Sequence, residues 1–320
     1  MAVRIGIGGA SPMAREGRET FFRFLDTLEV QGWDSLWFSD RIVGPSWVLD
    51  PLTGMALGAA RTERLKFGTG VLLMSMRSAV TTARALASID AMSNGRLAAV
   101  GVGVGQEAPL EYEAMGVHKR ERGRRLDEAI ALMRRLWAEE RVSHTSEFQR
   151  IDDASVSPRP MRGFIPFWIG GRTEPAFKRT GQLGDGWIPT QVTPQDCADG
   201  IARINAYAAD AGRAIEGDHF GVQLGAYMVE SGPIPMDMVE RHLLRRRTDV
   251  SPEALNLLGT ADQIISRMRE YVDAGATKFV LNLACPPDQV FDQLEMLAEA
   301  VVKPFHSDFH RSPQSPAEGA

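Results

Sequence analysis

A glycine-rich segment between an apolar stretch and a helical pattern has the residue types of an anion site. Apolar residues 166–169 run into Gly170 and Gly171, which are followed by Arg172 and by Thr173 as the expected helix cap. Paired glycines let a backbone approach a ligand closely, and a helix start offers unpaired N–H groups and a positive dipole end. Arginine adds a forked donor that suits phosphate. The segment predicts a phosphate-binding turn, and the alternative is a tight turn without a ligand.

Two more apolar stretches end in glycines. Gly101, Gly103 and Gly105 precede Gln106 and Glu107. This Gly-x-Gly-x-Gly spacing differs from the Gly-x-Gly-x-x-Gly fingerprint of dinucleotide-binding folds. We expect these glycines to let a flat ring lie against the backbone, and strand packing alone is the alternative. The second stretch ends in the segment Gly68-Thr-Gly-Val71, whose glycines permit unusual backbone conformations.

Polar and aromatic side chains at other strand ends complete the candidate site. Asp40 follows Ser39 and could hydrogen-bond a ring edge or a substrate, although a salt bridge or a capping role explains it equally well. The candidate catalytic residues are Asp40, Arg41 and Glu107. Because arginine is effectively always charged, Arg41 is a poor base and could instead hold an anionic group. Trp187 is a candidate for the wall of a cofactor pocket, or it is a core aromatic.

Eight short apolar stretches, most of them followed by a helical pattern, must position these residues. They read as nearly continuous apolar runs, which is typical of parallel strands buried on both faces. Eight strands alternating with helices predict an α/β protein with a closed (β/α)8 TIM barrel rather than an open doubly wound sheet. The predicted strands span residues 3–9, 34–38, 65–71, 96–103, 166–169, 186–189, 220–229 and 278–283.

The helical patterns and the remaining segments set the predicted domain boundaries. Residues 18–31 and 121–139 carry apolar side chains at helical spacing, with Phe21 and Phe22 assigned to the buried face of the first. We expect insertions before the fifth strand, as a polar hairpin at 142–162, and after the seventh strand, at 231–259. The second insertion could be a lid, a surface excursion or a subunit contact. Residues 1–305 are predicted to form one barrel domain, and 306–320 a disordered tail.

The composition excludes several classes of protein. The 320 residues are 44% apolar and 24% charged with a net charge of −5, so a basic nucleic-acid footprint is missing. Two distant cysteines and histidines without ligand spacing predict neither a disulfide framework nor a metal site. No apolar stretch is long enough to predict a membrane span or a signal peptide, and a cytoplasmic location is expected by elimination.

Taken in order, several short phrases resemble the luciferase-like monooxygenase family, which includes flavin-dependent monooxygenases and deazaflavin-dependent dehydrogenases and reductases. The resemblance covers residues 32–186 and resumes at 258–276. Each phrase alone is weak evidence for the family, but the order and spacing of all the phrases together are strong evidence. They are Gly32-Trp-Asp-Ser-Leu-Trp-Phe-Ser-Asp40, Ala60-Arg-Thr-Glu-Arg-Leu65, Gly68-Thr-Gly-Val71, Ser93-Asn-Gly-Arg96, Trp168-Ile-Gly-Gly-Arg172 and Leu183-Gly-Asp-Gly-Trp187.

The resemblance implies a cofactor, FMN or coenzyme F420, at the carboxyl end of the barrel. It places the phosphate on residues 170–173 and the ring above Thr69, Gly70 and Val71, with a non-prolyl cis peptide expected between the last two. Ser39 is also assigned to cofactor binding. Val104, Gly105 and Gln106 are expected beside the ring or the ribityl chain. A homo-oligomer, most simply a dimer, is implied as well.

The chain departs from the family pattern in two places. Many deazaflavin-dependent members carry Ser-Asp-His where this chain has Ser39-Asp40-Arg41. That histidine is an acid or base in some members, so the proton-transfer residue here is unassigned. The stretch between Arg96 and Gly101 is also one residue longer than usual, which could shift the contacts around residues 103–106 by one.

The sequence therefore predicts a flavin- or deazaflavin-dependent oxidoreductase, either a monooxygenase or a hydride-transfer enzyme, acting on a small organic molecule. The cofactor would carry the difficult chemistry, and the protein would supply orientation and charge. One alternative is a non-catalytic flavin-binding protein on the same barrel. Another is an NAD(P)-linked dehydrogenase, which requires a fingerprint that the sequence does not contain.

Overall fold

The structure is a computed structural model that describes residues 3–105, 109–244 and 247–305. Its main feature is a nine-stranded sheet in which every hydrogen-bonded pair of strands is parallel. Two further strands form a separate antiparallel pair. In chain order the strands are β1 Arg4–Gly8, β2 Ser35–Phe38, β3 Lys66–Leu72, β4 Leu97–Val102, β5 Val142–Thr145, β6 Arg150–Ala154, β7 Phe167–Ile169, β8 Gly186–Trp187, β9 Gly221–Met228, β10 Leu257–Gly259 and β11 Lys278–Leu283.

The strand order explains how the sheet curls. It runs β10-β9-β11-β1-β2-β3-β4-β7-β8, so strands that are neighbours in the chain are neighbours in space along most of the sheet. A doubly wound sheet would instead reverse direction at a switch point. Two isolated parallel bridges, Trp187 to Phe220 and Thr190 to Gln223, link β8 and the residues after it to β9 and the residue before it. The sheet is therefore strongly curved, and its end strand β8 approaches β9, the second strand from the other end.

Each of the eight predicted strands of the sheet is present, with shifted ends in all but the last. The six residues Lys278–Leu283 match their prediction at both ends. The ninth strand of the sheet, β10, was not predicted, because three residues are too few to show a periodic pattern. It pairs with β9 at the outer side of the sheet.

Twelve α-helices connect and cover the strands in the described part of the chain. Helix α2 matches its predicted bounds, but Phe24 rather than Phe22 is buried with Phe21. Capping boxes begin α8 at Thr193 and α11 at Thr260. The helices are α1 Ala10–Arg15, α2 Arg18–Gln31, α3 Pro51–Arg61, α4 Ala79–Met92, α5 Pro109–Ala114, α6 Arg122–Ala138, α7 Glu174–Leu183, α8 Pro194–Asp210, α9 Met236–His242, α10 Pro252–Leu255, α11 Ala261–Asp273 and α12 Val290–Leu297, which continues as a π-helical turn, Ala298–Val302.

Side chains on alternate strand positions fill the inside of the curved sheet. Trp37, Ala99, Trp168, Ile188 and Val280 form one buried cluster there, separate from the larger core between the sheet and the helices. Below this cluster, at the amino ends of the strands, the Lys278 ammonium bonds to the side chains of Asp34 and Ser35. The inside of the sheet is thus a packed interior that leaves only its carboxyl end for a ligand.

Two segments lie outside this regular pattern. Strands β5 and β6 form an antiparallel hairpin where the polar hairpin was predicted. Residues 229–256 contain α9 and α10, and a side chain at Gly225 would meet Leu243 Cδ2 at 2.2 Å, so this segment packs on the end of β9. Arg247 anchors it through ion pairs with Asp196 and Asp249. Residues 245 and 246 of the basic run, like the predicted tail at 306–320, lie outside the described residues.

None of the helices in the described ranges combines the length and the apolar character that crossing a lipid bilayer requires.

Candidate active site at the carboxyl ends of the strands

Val71 is the point at which three strand ends meet. A Cβ atom at Gly103, after β4, would lie 2.6 Å from Val71 Cγ2, and one at Gly170, after β7, would lie 2.7 Å from Val71 Cγ1. Glycine is required at both positions because any side chain would displace the valine. A cis peptide joins Gly70 and Val71, as the resemblance predicted. The glycines singled out from three separate stretches therefore line one rim.

The predicted phosphate-binding turn lies on this rim and is open to solvent. Gly170 is half-buried, and Gly171, Arg172 and Thr173 are exposed. The backbone N–H groups of these three exposed residues donate to no described residue. Thr173 occupies the cap position of α7, but its side chain makes no capping hydrogen bond. Gly171 has a φ of 106°, which a residue with a side chain rarely adopts. Residues 170–173 thus have the geometry of an anion-binding site at a helix start, and they are called the anion seat below.

Trp187 supports this turn from the inside. Its side chain is fully buried, and its indole N–H donates to the Gly171 carbonyl oxygen at 2.8 Å. The ring also packs edge-on against Phe177 of α7. Trp187 therefore fixes the backbone of the turn, and its predicted contact with a cofactor stays a prediction.

Asp40 is held in a buried ion pair. Its side chain is fully buried, and it accepts hydrogen bonds from the Leu73 N–H at 2.9 Å and from Arg77 Nε and Nη2 at 2.9 and 2.6 Å. Burial alone would lower the pKa of Arg77, but the bonds to Asp40 and Asp50 outweigh it and raise that pKa. The structure thus favours the salt-bridge alternative for Asp40. The pair ties the loop after β2 to the loop after β3.

Arg41 keeps part of its guanidinium accessible. Its ion pair with Glu111 is loose, at 3.7 Å, and 27% of its side chain is exposed. Glu111 is itself buried, and its Oε1 accepts the backbone N–H groups of Ile42 and Val43 at 2.9 and 3.4 Å. Arg41 and Arg77 line a cavity of about 710 Å³ between these loops and α4. Arg41 could therefore hold an anionic group, as its residue type suggested.

The remaining predicted residues differ in how they are placed. Thr69 is fully buried, and its hydroxyl donates to the Gly101 carbonyl oxygen at 2.7 Å, so it supports the rim from below. The Val104 carbonyl accepts from Tyr112 Oη at 2.9 Å and from Ser75 Oγ at 3.1 Å. Gly105 has a φ of 82°. Ser39 is exposed, and Gln106 and Glu107 lie outside the described residues.

Sequence reasoning missed four polar residues of this region. Arg77 and Glu111 lie on loops and short helices, where no periodic pattern marks them as partners of residues 40–43. Gln223 and Asn282 are polar positions inside the apolar strands β9 and β11. A polar residue in a parallel strand buried on both faces is a usable signal, and it was overlooked here.

Comparison with known proteins agrees with the fold. A family model described as luciferase-like monooxygenase matches residues 5–232. The chain is 28% identical over 294 residues to the F420-dependent glucose-6-phosphate dehydrogenase of Kineococcus radiotolerans, an alignment that covers 81% of this chain and 85% of that protein.

Two solved structures show the same fold at low sequence identity. The monooxygenase RslO1 from Streptomyces bottropensis superposes with a TM-score of 0.80 at 21% identity, over 94% of this chain and 99% of that one. The oxygenating constituent of 3,6-diketocamphane monooxygenase from Pseudomonas putida, in complex with FMN, has a TM-score of 0.78 at 16% identity, over 95% of this chain and 99% of that one.

Proposed function

The chain belongs to the luciferase-like monooxygenase family, and from this premise we propose that residues 170–173 bind the phosphate of its cofactor. The protein is a flavin- or deazaflavin-dependent oxidoreductase, and its cofactor is FMN or coenzyme F420. Either ring system, when bound, supplies the transfer of hydride, and a flavin can also activate oxygen. The observation that carries the proposal is the start of α7, where three exposed backbone N–H groups donate to no described residue.

Of the two cofactors we propose F420, and therefore hydride transfer without oxygen. The support is that a relative aligned over 81% of this chain is F420-dependent. The FMN-containing structure shares the fold at only 16% identity. Oxygen consumption with FMN is the competing outcome, and it is easily measured.

We assign the residues of the rim to binding and orientation. Val71, flanked by Gly103 and Gly170, would offer a flat surface to the ring. The buried pair of Asp40 and Arg77 would keep the loops of the rim in place, because its hydrogen bonds join the loop after β2 to the residues after β3. Arg41 would hold an anionic group of the substrate or cofactor. Glu107, which lies outside the described residues, stays a candidate catalytic residue.

We further propose that the curved sheet is a closed eight-stranded (β/α)8 barrel forming one domain over residues 1–305. The bridges between residues 187–190 and 220–223 support closure, with β10 as an outer addition. In that description the hairpin of β5 and β6 is an insertion before the fifth barrel strand, and residues 231–259 are one after the seventh. The contact of Leu243 with Gly225 supports the interpretation of the second insertion as a lid.

Titration with cofactors that have or lack the phosphate-bearing end tests the proposal. The protein should bind F420 and FMN more tightly than the phosphate-free deazaflavin chromophore and riboflavin, by roughly tenfold or more, because charge-assisted hydrogen bonds would be lost. Arg172→Ala should reduce the difference in affinity between the cofactors with a phosphate and those without one. Arg64→Ala, at a side chain that is 77% exposed on a loop before β3, is the matched control. Phosphate binding at the anion seat would be refuted if FMN and riboflavin bound with equal affinity and F420 and its phosphate-free chromophore did so as well.

Turnover separates the enzyme from a non-catalytic binding protein. The holoprotein is mixed with reduced or oxidised cofactor and a panel of small organic molecules, and cofactor absorbance is followed. Tight cofactor retention without turnover on any molecule would favour the binding protein.

The predicted dimer and the predicted cytoplasmic location also stay predictions. Light scattering tests the first, and cell fractionation tests the second.

A further inference from the structure

Two amide side chains lie at the bottom of the candidate active site, which is called its floor below. Neither has a role in the site described so far. Gln223 is only 7% exposed, yet its one side-chain hydrogen bond within the described residues is from Nε2 to the Ile188 carbonyl oxygen, a long contact of 3.4 Å. Asn282 is half-buried, and its amide bonds to no described residue. No atom of either amide is among the buried polar atoms without a partner in the described part of the chain, so both amides remain accessible to a ligand, and a ligand that covers one without pairing it would cost about 1–3 kcal/mol.

Both amides face the same opening. Gln223 is paired in register with Val280 of the interior cluster, and Asn282 lies two residues further along the same strand face. A Cβ at Gly70 would lie 2.3 Å from Gln223 Oε1, and one at Gly8 would lie 2.3 Å from Asn282 Oδ1. Glycines on β1 and β3 thus make room for these amides at the carboxyl end of the interior.

The carboxylates nearest the rim are already engaged. Asp40 is bonded to Arg77, and Glu111 is bonded to two backbone N–H groups. The floor therefore has two parts. One is apolar and rich in glycine around Val71, beside the phosphate turn, and the other consists of the two uncharged amides.

We propose that Gln223 and Asn282 bind the substrate and select one whose reacting carbon bears an uncharged carbonyl or hydroxyl oxygen. The inference rests on the proposed function, which places the ring over the half of the floor around Val71 and leaves the amide half to the substrate. An amide N–H donates to a carbonyl, and an amide oxygen accepts from a hydroxyl, so the pair serves an alcohol and its ketone equally. A molecule without that oxygen leaves both amides unpaired, which is an effective basis for rejection.

Apolar substitutions of similar size distinguish this role from a structural one. Gln223→Met and Asn282→Leu remove the amides. Gln293→Met is the matched control, because Gln293 is also buried but bonds to the N–H and the carbonyl of Met228 at 2.8 and 2.9 Å. The apoprotein Tm should stay nearly unchanged for Asn282→Leu and for Gln223→Met, which loses only the long contact to the Ile188 carbonyl. It should fall for the control, which leaves both backbone groups of Met228 without their partner. A fall in Tm for the first two equal to that of the control would overturn the proposal.

Binding to the F420-loaded protein completes the test. Calorimetry is run with cyclohexanone, with methylenecyclohexane, which lacks the oxygen, and with cyclohexanecarboxylate, which is charged. Wild-type and Gln293→Met proteins should prefer cyclohexanone. Gln223→Met and Asn282→Leu should lose at least about fivefold in that affinity while the Kd for F420 stays constant.

The outcomes separate the two hypotheses. If the wild-type protein holds F420 but binds cyclohexanone no better than the hydrocarbon or the acid, the amides do not select such a substrate and the inference is wrong. If the variants lose F420 instead, the amides hold the ring, and the inference is again wrong. Failure of the wild-type protein to bind either F420 or FMN would refute the proposed function itself.

Discussion

The Cβ atom of any side chain at position 170 would lie 2.7 Å from Cγ1 of Val71. The first residue of the phosphate turn and the valine of the cis peptide are therefore in direct steric contact, although 99 positions separate them in the chain. Moving either one displaces the other. This contact joins the predicted anion seat to the surface on which a ring would lie.

Gly170→Ala should weaken cofactor binding through this contact. The added methyl group must push Val71 or the turn aside by several tenths of an ångström, since the interior beneath is closely packed. We expect the Kd for F420 or FMN to rise by roughly tenfold. In the double variant Gly170→Ala/Val71→Ala the clash is removed, so part of the affinity should return. Additive losses in fluorescence titrations of the two single variants and the double variant would contradict the steric coupling.

Arg77→Met should destabilise the fold by about 3 kcal/mol, because it leaves the Asp40 carboxylate buried without its cation. The variant Arg77→Met/Asp40→Asn should recover part of the loss, since no buried charge remains. Chemical denaturation of the apoprotein measures both. An Arg77→Met protein as stable as wild type would show that this ion pair does not hold the two loops together.

Much of the fold was predictable because buried parallel strands leave a strong pattern. Lys278–Leu283 is an apolar run followed by small residues, and the structure reproduces its bounds. The turn from β7 into α7 was also predictable, since two glycines before a threonine at the cap position mark a strand-to-helix turn, while its binding of phosphate stays a prediction. In both cases the informative residues are contiguous in the chain.

The rest depends on contacts between distant residues, which a single sequence does not reveal. The salt-bridge role of Asp40 follows from Arg77, which lies 37 positions later, and nothing in the local sequence pairs them. In the same way, Gln223 becomes notable only when Gly70 is found opposite its amide. Phe22 packs against the core as expected but is only half-buried, because the guanidinium groups of Arg18 and Arg61 lie over its ring.

The stability of the protein should fall on acidification through Asp34. Burial alone would raise the pKa of this carboxyl, but the charges of Lys278 and Lys66 outweigh burial and hold it well below the ordinary value of 3.8. The unfolded chain therefore binds a proton near pH 4 that the folded chain does not, so this contribution is present above that pH and is lost as the pH falls further. Asp34→Asn should flatten the decline of Tm between about pH 5 and pH 2.

Asp26→Asn is the control for that measurement. The pKa of Asp26 is also lowered, mainly by its hydrogen bond from Arg61, but this ion pair is exposed. Solvent screens such pairs, so the slope of Tm against pH should barely change. If Asp34→Asn and Asp26→Asn have the same slope, the buried pair has no special part in acid stability.

Trp187→Phe should loosen the phosphate turn without disturbing the interior. The substitution keeps an aromatic ring but removes the indole N–H that holds the Gly171 carbonyl at 2.8 Å. Trp137→Phe removes an equivalent bond, from Trp137 Nε1 to the Ala83 carbonyl oxygen at 3.1 Å, in a helix-packed region away from the rim. Each variant should lose about 1 kcal/mol of stability, since each removes one hydrogen bond from an indole N–H to a backbone carbonyl. Only Trp187→Phe should raise the Kd for F420 or FMN, by about three- to tenfold, because only there does the freed carbonyl belong to the anion seat. The same loss of affinity in both variants would mean that the turn depends on global stability and that Trp187 does not position it.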